Sequence, residues 1–548
     1  MLTRRQLIHR GGAGAAVAVL APQELALADS GPSVQQRLLR SGRFAEGLIS
    51  ADPTPDGISL WTRVTGAEGR GKVLLEVARE DDFRGVVARK LITTGGSVNH
   101  AVKARLSGLE PHTQYFYRFA NAKFETKVGR FRTAAPADSH EPVRFAYWSC
   151  QDYTHGYFNA HEVMAKEDLD FMLCLGDYIY AETYHTIAGG TGVREDRIGT
   201  PSEDPPSAGN GLAGYYREAL TLADYRAKYS LYRSDPALRE LHRRFPMVYV
   251  PDDHEVQDNY AGAAPNEGLD PSLRPSARRK RAARKAFFES SPRFPNGKRL
   301  YSSQRFGRTV ELFVMDQRSY RADQPCLDAV VAPCADWDQP RPFLGRKQMK
   351  WLKHGLSTSK ATWKVLANEV TIMPTMVLGG AYFTYDSWQG YPREREELLE
   401  HIDDEGIKDV VFVTGDIHTF IAGDVRRDMG KGKSVAVEFV GGSITSIGLG
   451  EINLPAGGGV VIEGNDADPQ TDPALIDTLR GFNPWVDVAD FDHHGYGVVE
   501  ASRGGLKSHF VRLKTIKART RQTVTRKGYV YELDRGQTSI KGVNGPKA

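Results

Sequence analysis

Five strand-length apolar runs, each leading into a polar segment rich in metal-competent side chains, constrain this chain more than any other feature. Val143–Trp148 leads to Ser149-Cys150-Gln151-Asp152-Tyr153, and Phe171–Leu175 to Gly176-Asp177-Tyr178-Ile179-Tyr180. Met247–Val250 is followed by Pro251-Asp252-Asp253-His254-Glu255, and Leu312–Met315 by Asp316-Gln317-Arg318-Ser319-Tyr320-Arg321. Val410–Val413 leads to Gly415-Asp416-Ile417-His418-Thr419, and Lys364–Leu366 and Val435–Val440 complete the apolar set. Runs that are apolar throughout belong to strands covered on both faces, which points to an α/β fold with α-β-β-α layers. Such sheets place their sites at the C-terminal ends of strands, where these polar segments fall. Helical spacing lies between several runs, as in Leu222, Tyr225, Tyr229 and Tyr232.

The region before Val143 has a different texture. From Arg43 to Thr133 short alternating stretches such as Ile58–Val64 and Val73–Val77 are broken by turns. Leu109-Glu110-Pro111-His112-Thr113-Gln114-Tyr115 resembles the tyrosine corner of fibronectin III-like sandwiches, in which the hydroxyl bonds back to nearby backbone. The expectation is a small β-sandwich domain with its linker over residues 29–135, followed by a larger domain over 136–548. The length of 548 residues requires such a division.

Ahead of both, Thr3-Arg4-Arg5-Gln6-Leu7-Ile8 precedes a Gly/Ala-rich apolar stretch and Ala26-Leu27-Ala28. This looks like a twin-arginine signal over residues 1–28, with the mature chain starting near Asp29; an ordinary secretory signal is the alternative. It implies the twin-arginine translocase as a partner and an extracytoplasmic location. No later run reaches the ~20 apolar residues that a span needs. A net charge of +4 gives no reason to expect nucleic acid as a partner. The run Arg278, Arg279, Lys280, Arg281, Arg284, Lys285 reads as a solvated helix face. Cys326 and Cys334 lie in the loop Pro325 to Asp336, where an exported protein could join them as a disulfide, with free thiols the alternative, and Cys174 reads as a core residue. The Gly/Pro/Asp-rich stretches Gly189–Gly211 and Asn453–Asp472 read as surface loops shaping the entrance to the site.

The order of the polar segments resembles the five-block pattern of dinuclear metallophosphoesterases, close to that of purple acid phosphatases. Gly-Asp-x-x-Tyr is met by Gly176, Asp177 and Tyr180; Asp252-Asp253-His254-Glu255 stands where Gly-Asn-His-Glu is usual; Gly415-Asp416-Ile417-His418 replaces Gly-His-x-His. The cysteine in the first block and the aspartate in the last resemble the PhoD-type alkaline phosphatases, as do Asp316-x-Arg318-x-Tyr320-Arg321 and Asp492-His493-His494-Gly495-Tyr496. The resemblance implies a hydrolase of phosphate monoesters or diesters in which a metal-held water or hydroxide attacks phosphorus. Cys150, Asp177, Tyr180 and His418 would hold one ion; thiolate and phenolate suit a trivalent ion such as Fe3+. Asp177, Asp253 and Asp416, with Asn368 as a weaker member, would hold a second, and oxygen ligands suit Ca2+. His254 is assigned to orient substrate or protonate the leaving group, and Arg318 to grip phosphate oxygens. An ion pair of Arg318 with Asp316 is the plainer alternative. Asp252 is kept outside the ligand set, and Asn259 either supports the site or belongs to its loop.

Two other functions fit less well. A phospholipase D activity on the same scaffold would cleave phospholipid head groups, but the His-x-Lys nucleophile motif is absent. An inactive surface-binding relative should have lost ligands, and every block here keeps one.

Overall fold

The computed structural model describes residues 37–184, 186–187, 190–202, 216–262, 276–297, 299–377, 380–428, 431–451, 473–524 and 530–543. The expected signal over residues 1–28 lies outside them, as do residues 203–211 of one proposed entrance loop and the whole of the other, 453–472. The described residues form two compact units. The smaller comprises the described part of Met1–Ala135 with Arg239–Met247 and Phe288–Phe294; the larger takes Pro136–Leu238, Val248–Phe287 and the chain from Pro295 onward.

In the smaller unit, strands β1 (Leu48–Thr54), β2 (Gly57–Arg63) and β5 (Ala101–Leu106) pair antiparallel. Strands β3 (Gly71–Ala78), β4 (Val86–Thr94), β6 (Gln114–Ala120) and β7 (Gly129–Arg132) form a second sheet in the order β4-β3-β6-β7. Residues from both sheets, among them Leu48, Ile58, Leu60, Val73, Val77, Tyr117 and Phe131, share one apolar cluster. Burial of that kind, at roughly 25 cal/mol per Å2 of apolar surface, is what stabilises a small all-β unit. The Tyr115 hydroxyl accepts a hydrogen bond from the Glu110 amide at 2.9 Å, the local geometry expected from the sequence.

The larger unit carries the apolar runs. β8 (Val143–Trp148) pairs parallel with β9 (Phe171–Cys174), and antiparallel with strand Gly495–Ala501, beyond which lies Gly505–Arg512. A second sheet has the order Ser302–Phe306, Val310–Val314, Trp363–Asn368, Val410–Thr414, Lys431–Val440, Phe420–Asp428, Val486–Asp490, and its four strands from Val310–Val314 to Lys431–Val440 are parallel. Every residue of Val410–Thr414 is buried, as a strand covered on both faces requires. Helices Gly345–Thr358 and Pro392–Asp404 supply Met349, Leu352, Leu356, Leu398, Leu399 and Ile402 to the core that also holds Phe313, Leu366 and Phe412. Cys174 is buried and free, and Cys326 and Cys334 form a disulfide.

The basic run does form a helix, Ala277–Glu289, but its face is not wholly solvated. Arg279 is 2% exposed and pairs with the buried carboxylates of Glu182 and Glu218 at 3.4 and 3.0 Å. Sequence charge alone does not reveal such a partner, because the acids lie more than fifty residues away. No helix among the described residues is long and apolar enough to cross a membrane.

Candidate active site

All the polar segments that follow the apolar runs lie in the larger unit, and two glycines let them converge. Gly176 has φ +104°, and a Cβ there would collide with Asp252; at Gly415 a Cβ would sit 2.6 Å from the Ser149 hydroxyl. The side chains they carry stand on unusual backbone. Cys150, Asp177, Asp416 and His418 have φ of 58°, 52°, 69° and 57°. Left-handed conformations cost non-glycine residues about 1–3 kcal/mol, and their concentration here is the mark of a site whose side-chain directions matter more than local comfort.

One cluster is built from Cys150, Asp177 and His418, whose ligand atoms lie within 4.8 Å of one another. The Tyr180 oxygen joins it, 3.3 Å from Asp177 Oδ2 and 3.2 Å from His418 Nε2. His418 Nδ1 lies 2.7 Å from the carbonyl of Ile447; donating to that acceptor leaves the Nε2 lone pair facing the cluster. Burial lowers His418 to about 4, so its imidazole is neutral, and pushes Cys150, Asp177 and Tyr180 well above their ordinary ranges, with neighbouring acids adding to the rise. A carboxyl, a thiol, a phenol and a neutral imidazole thus stand together, with burial opposing the ionisation of the three acidic groups. A cation of high charge would ionise the three acidic groups, and in this sense the donor set fits the expected ion.

Asp177 also belongs to a group with Asp253 and His254, and Asp253 to another with Asp252 and Asp416. Into this second, acidic cluster reaches Arg318. Its Nε donates to Asp252, its Nη1 to Asp386 at 2.5 Å and its Nη2 to Asp416 at 3.1 Å, with Asp253 3.5 Å from Nη2. Arg321 pairs with the same Asp386. Four carboxylates meet two guanidinium groups, so two negative charges remain in excess when all ionise. The excess shows in how far these carboxyls are shifted from their ordinary range. Burial, opposed by Arg318, leaves Asp252 at about 6 and Asp416 well above the usual range, whereas Arg318 and His254 overcome burial to hold Asp253 low. Asp252 Oδ2 and Asp253 Oδ1 are buried without a hydrogen-bond partner. Unsatisfied carboxylate oxygens beside an unbalanced charge fit a divalent cation.

The contacts of Arg318 and Asn368 bear on two further sequence expectations. Arg318, 2% exposed, has Nε, Nη1 and Nη2 all engaged with carboxylates, so its fork faces the acidic cluster. Nor is Asp316 the partner seen there: its Oδ1 accepts from the Ser319 amide at 3.0 Å. Asn368 is fully buried and does not join the acids. Its Oδ1 takes Gln317 and Trp388 as donors, and its Nδ2, with two hydrogens, gives to Val370 O at 2.6 Å and Thr414 at 2.9 Å, with Glu438 3.2 Å away. Both lone pairs of the oxygen are engaged by these donors. Asn259 does support the site: its amide donates to Asp253 Oδ2 at 2.6 Å, and its side chain donates to Asp328 at 3.1 Å.

His254 stacks on Tyr180 with ring centroids 4.0 Å apart, and its Nδ1 donates to Glu182 Oε2 at 2.8 Å. Burial disfavours its charged form, but Asp253, Asp177 and Glu182 raise it well above the usual histidine range. Sequence reasoning missed Glu255 as a fastener. Its carboxylate accepts the amides of Asp177, Tyr178 and Asp252 and the Tyr249 hydroxyl, tying two of the polar segments together. It missed Asp386 too, because Tyr385-Asp386-Ser387 follows no apolar run.

Comparison with known proteins agrees with this picture. The model of the PhoD-like phosphatase N-terminal domain matches residues 29–135, and that of the PhoD-like phosphatase matches residues 145–510. Alkaline phosphatase D of Bacillus subtilis is 32% identical over 521 residues, covering 91% of this chain and 82% of that protein. A solved structure of PhoD superposes with a TM-score of 0.78 at 30% identity, covering 92% of this chain and 93% of the other. A purple acid phosphatase from yellow lupin (Lupinus luteus) shares the fold at a TM-score of 0.51 and 11% identity, over 85% of this chain and 71% of its own. With family models matching residues 29–135 and 145–510, the convergence of its polar segments is that of an enzyme: the chain belongs to the PhoD-like phosphatase family and is a hydrolase of phosphoric esters.

Proposed function

We propose that this enzyme is an exported, metal-dependent phosphoesterase acting on phosphate monoesters or diesters. The observation that carries the reading is a pair of clusters, Cys150, Asp177 and His418 in one and Asp252, Asp253 and Asp416 in the other, linked through the group of Asp177, Asp253 and His254. Cys150, Asp177, Tyr180 and His418 would hold Fe3+, and Asp177, Asp253 and Asp416 would hold Ca2+. Bound there, such ions supply Lewis acidity toward phosphoryl oxygens and acidify water. The chain's own residues do the rest. His254, kept protonated by the surrounding carboxylates, is placed to give its proton to the leaving oxygen. Glu182 fixes its ring through Nδ1, and the Tyr180 stack fixes its plane. Arg318 spaces Asp252, Asp253, Asp386 and Asp416, which would repel one another without it. Export by the twin-arginine route, before which the protein folds and takes up its ions, rests on Arg4-Arg5 and Ala26-Leu27-Ala28. The two units would correspond to a fibronectin III-like sandwich and a four-layer α-β-β-α domain.

A phospholipid as substrate is the second reading, and one feature favours it. Leu327, Val330 and Val331 are exposed by 84%, 57% and 40% in the loop closed by the Cys326–Cys334 disulfide. That loop reaches the acidic cluster through Asp328, Asn259 and Asp253. Hydrolysis of a phosphate monoester, a diester and phosphatidylcholine, each with and without added Ca2+, separates the readings. Activity on none of them in the ion-loaded enzyme would overturn both.

A further inference from the structure

We propose that Ser446 is a positioning residue for the sulfur-containing cluster, and that Ser443–Gly448 is a brace fixing two of its donors together. The proposal rests on the reading of Cys150, Asp177, Tyr180 and His418 as an ion site. Ser446 is 2% exposed, and its hydroxyl lies 2.6 Å from the Tyr180 oxygen and 2.9 Å from the Cys150 carbonyl. It also accepts the Asp152 amide at 3.3 Å. The next residue, Ile447, presents its carbonyl to His418 Nδ1 at 2.7 Å. Two consecutive residues of one segment therefore touch two donors that come from different segments.

The segment is itself tied down at both ends. On the cluster side the amides of Thr445 and Ser446 reach the Cys150 carbonyl at 3.3 and 3.2 Å, and the Thr445 hydroxyl donates to the Asp152 carbonyl at 2.6 Å. On the other side the Ser443 hydroxyl meets the Ser446 carbonyl at 2.5 Å and His494 Nδ1 at 2.9 Å, and His494 Nε2 meets Glu451 at 3.1 Å. The Tyr180 ring plane is set by its stack on His254, but a stack leaves the phenol free to swing within that plane. The Ser446 hydroxyl stops the swing and aims the oxygen between Asp177 and His418. Hydrogen-bonded partners behind metal ligands commonly change ion affinity by about 10–100-fold, so this contact is large enough to measure.

The test compares wild type, Ser446→Ala, Ser446→Thr and Tyr180→Phe, each purified with the iron it acquires during expression. Iron content after dialysis against a chelator and the visible absorption band are the readouts. Ser446→Ala is expected to shift the band and weaken iron retention by about 10–100-fold, with the activating effect of Ca2+ unchanged in concentration dependence. Ser446→Thr, which keeps the hydroxyl, should restore both. Ser446→Cys, nearly the same in volume, carries the comparison if the alanine variant does not fold. Wild-type band and retention in the folded alanine or cysteine variant would overturn the proposal, as would a threonine variant no better than alanine. A wild-type protein with no band sensitive to Tyr180→Phe would instead overturn the ion-site reading beneath it.

Discussion

Two buried groups of charged side chains, one in each unit, have opposite proportions. In the smaller unit a single carboxylate, Glu76, lies between Arg89 at 2.9 Å and Arg118 at 2.8 Å. In the larger, one guanidinium, Arg318, lies among Asp252, Asp253, Asp386 and Asp416. Glu76 is fully answered by protein, and its surroundings ask for nothing more. The acidic cluster is answered only in part, and the remainder is what a cation could take. An excess of charge that folding leaves unresolved therefore separates a functional group of acids from a structural ion pair, which burial alone does not.

Asp177 belongs to both clusters, so its removal should give the largest effect. Asp177→Asn is expected to lower kcat/KM by on the order of 10³-fold or more, about 4 kcal/mol of transition-state stabilisation, and to lower iron and calcium content together. Steady-state kinetics with a phosphate monoester and metal analysis check it. Activity within tenfold of wild type would mean that the clusters do not share this carboxylate in function.

Arg318→Met comes next. Removing the cation leaves four acids facing one another, and breaking a buried pair in this way costs about 3–5 kcal/mol. Thermal melting of the ion-free protein should show the loss. A phosphate clamp open to solvent would instead leave melting unchanged and weaken inhibition by inorganic phosphate. Arg318→Lys should recover only part of the stability, because one ammonium cannot span Asp252, Asp386 and Asp416 as the planar fork does.

The third effect concerns pH. Asp252 is raised to about 6 and Glu255 to about 7, both first by burial, against about 4 for carboxyls in the unfolded chain. The folded state then binds more protons than the unfolded state between those values, so stability falls as pH rises from about 4 to about 7. Ion-free enzyme should melt lower at pH 7.5 than at pH 5, and Ca2+ should reverse much of that difference by favouring the ionised acids. A Ca2+-selective chelator should likewise abolish activity while the visible band persists. Melting that is flat over this range in the ion-free protein would show that the acids are balanced by other means.

The sequence made much of this readable, for a physical reason. Strands covered on both faces must be apolar throughout, so the point where polarity returns at Cys150, Asp177, Asp253 and Asp416 is visible as an abrupt change. The same rule misled at Asn368, which also ends a strand but spends its amide on Gln317, Trp388, Val370, Thr414 and Glu438. Arg318 was visible as a residue but not in its contacts, because the acids around its guanidinium come from three separate stretches of chain. Asp386, Glu255 and Ser446 act through contacts that no local pattern encodes. A partial signal existed for Ser446: Gly441-Gly442-Ser443 directly follows the strand Lys431–Val440, as the other site loops follow theirs.

The smallest expected effect lies in the smaller unit and sets the baseline for the others. Glu76→Gln keeps the shape of the side chain and an acceptor oxygen but removes the charge that answers Arg89 and Arg118. Arg89 is 46% exposed and regains water, whereas Arg118, at 14%, does so only partly. The loss should therefore stay near the range of a hydrogen bond to a charged group, about 1.5–3 kcal/mol. It should be the same with and without Ca2+, since no uncompensated negative charge is created, and kcat/KM at a temperature well below melting should match wild type. Paired melting curves with and without Ca2+ measure the contrast directly. A Ca2+-dependent loss for Glu76→Gln as large as that for Arg318→Met would mean that the two buried groups do not differ in kind, and the charge-excess argument for the acidic cluster would fall with it.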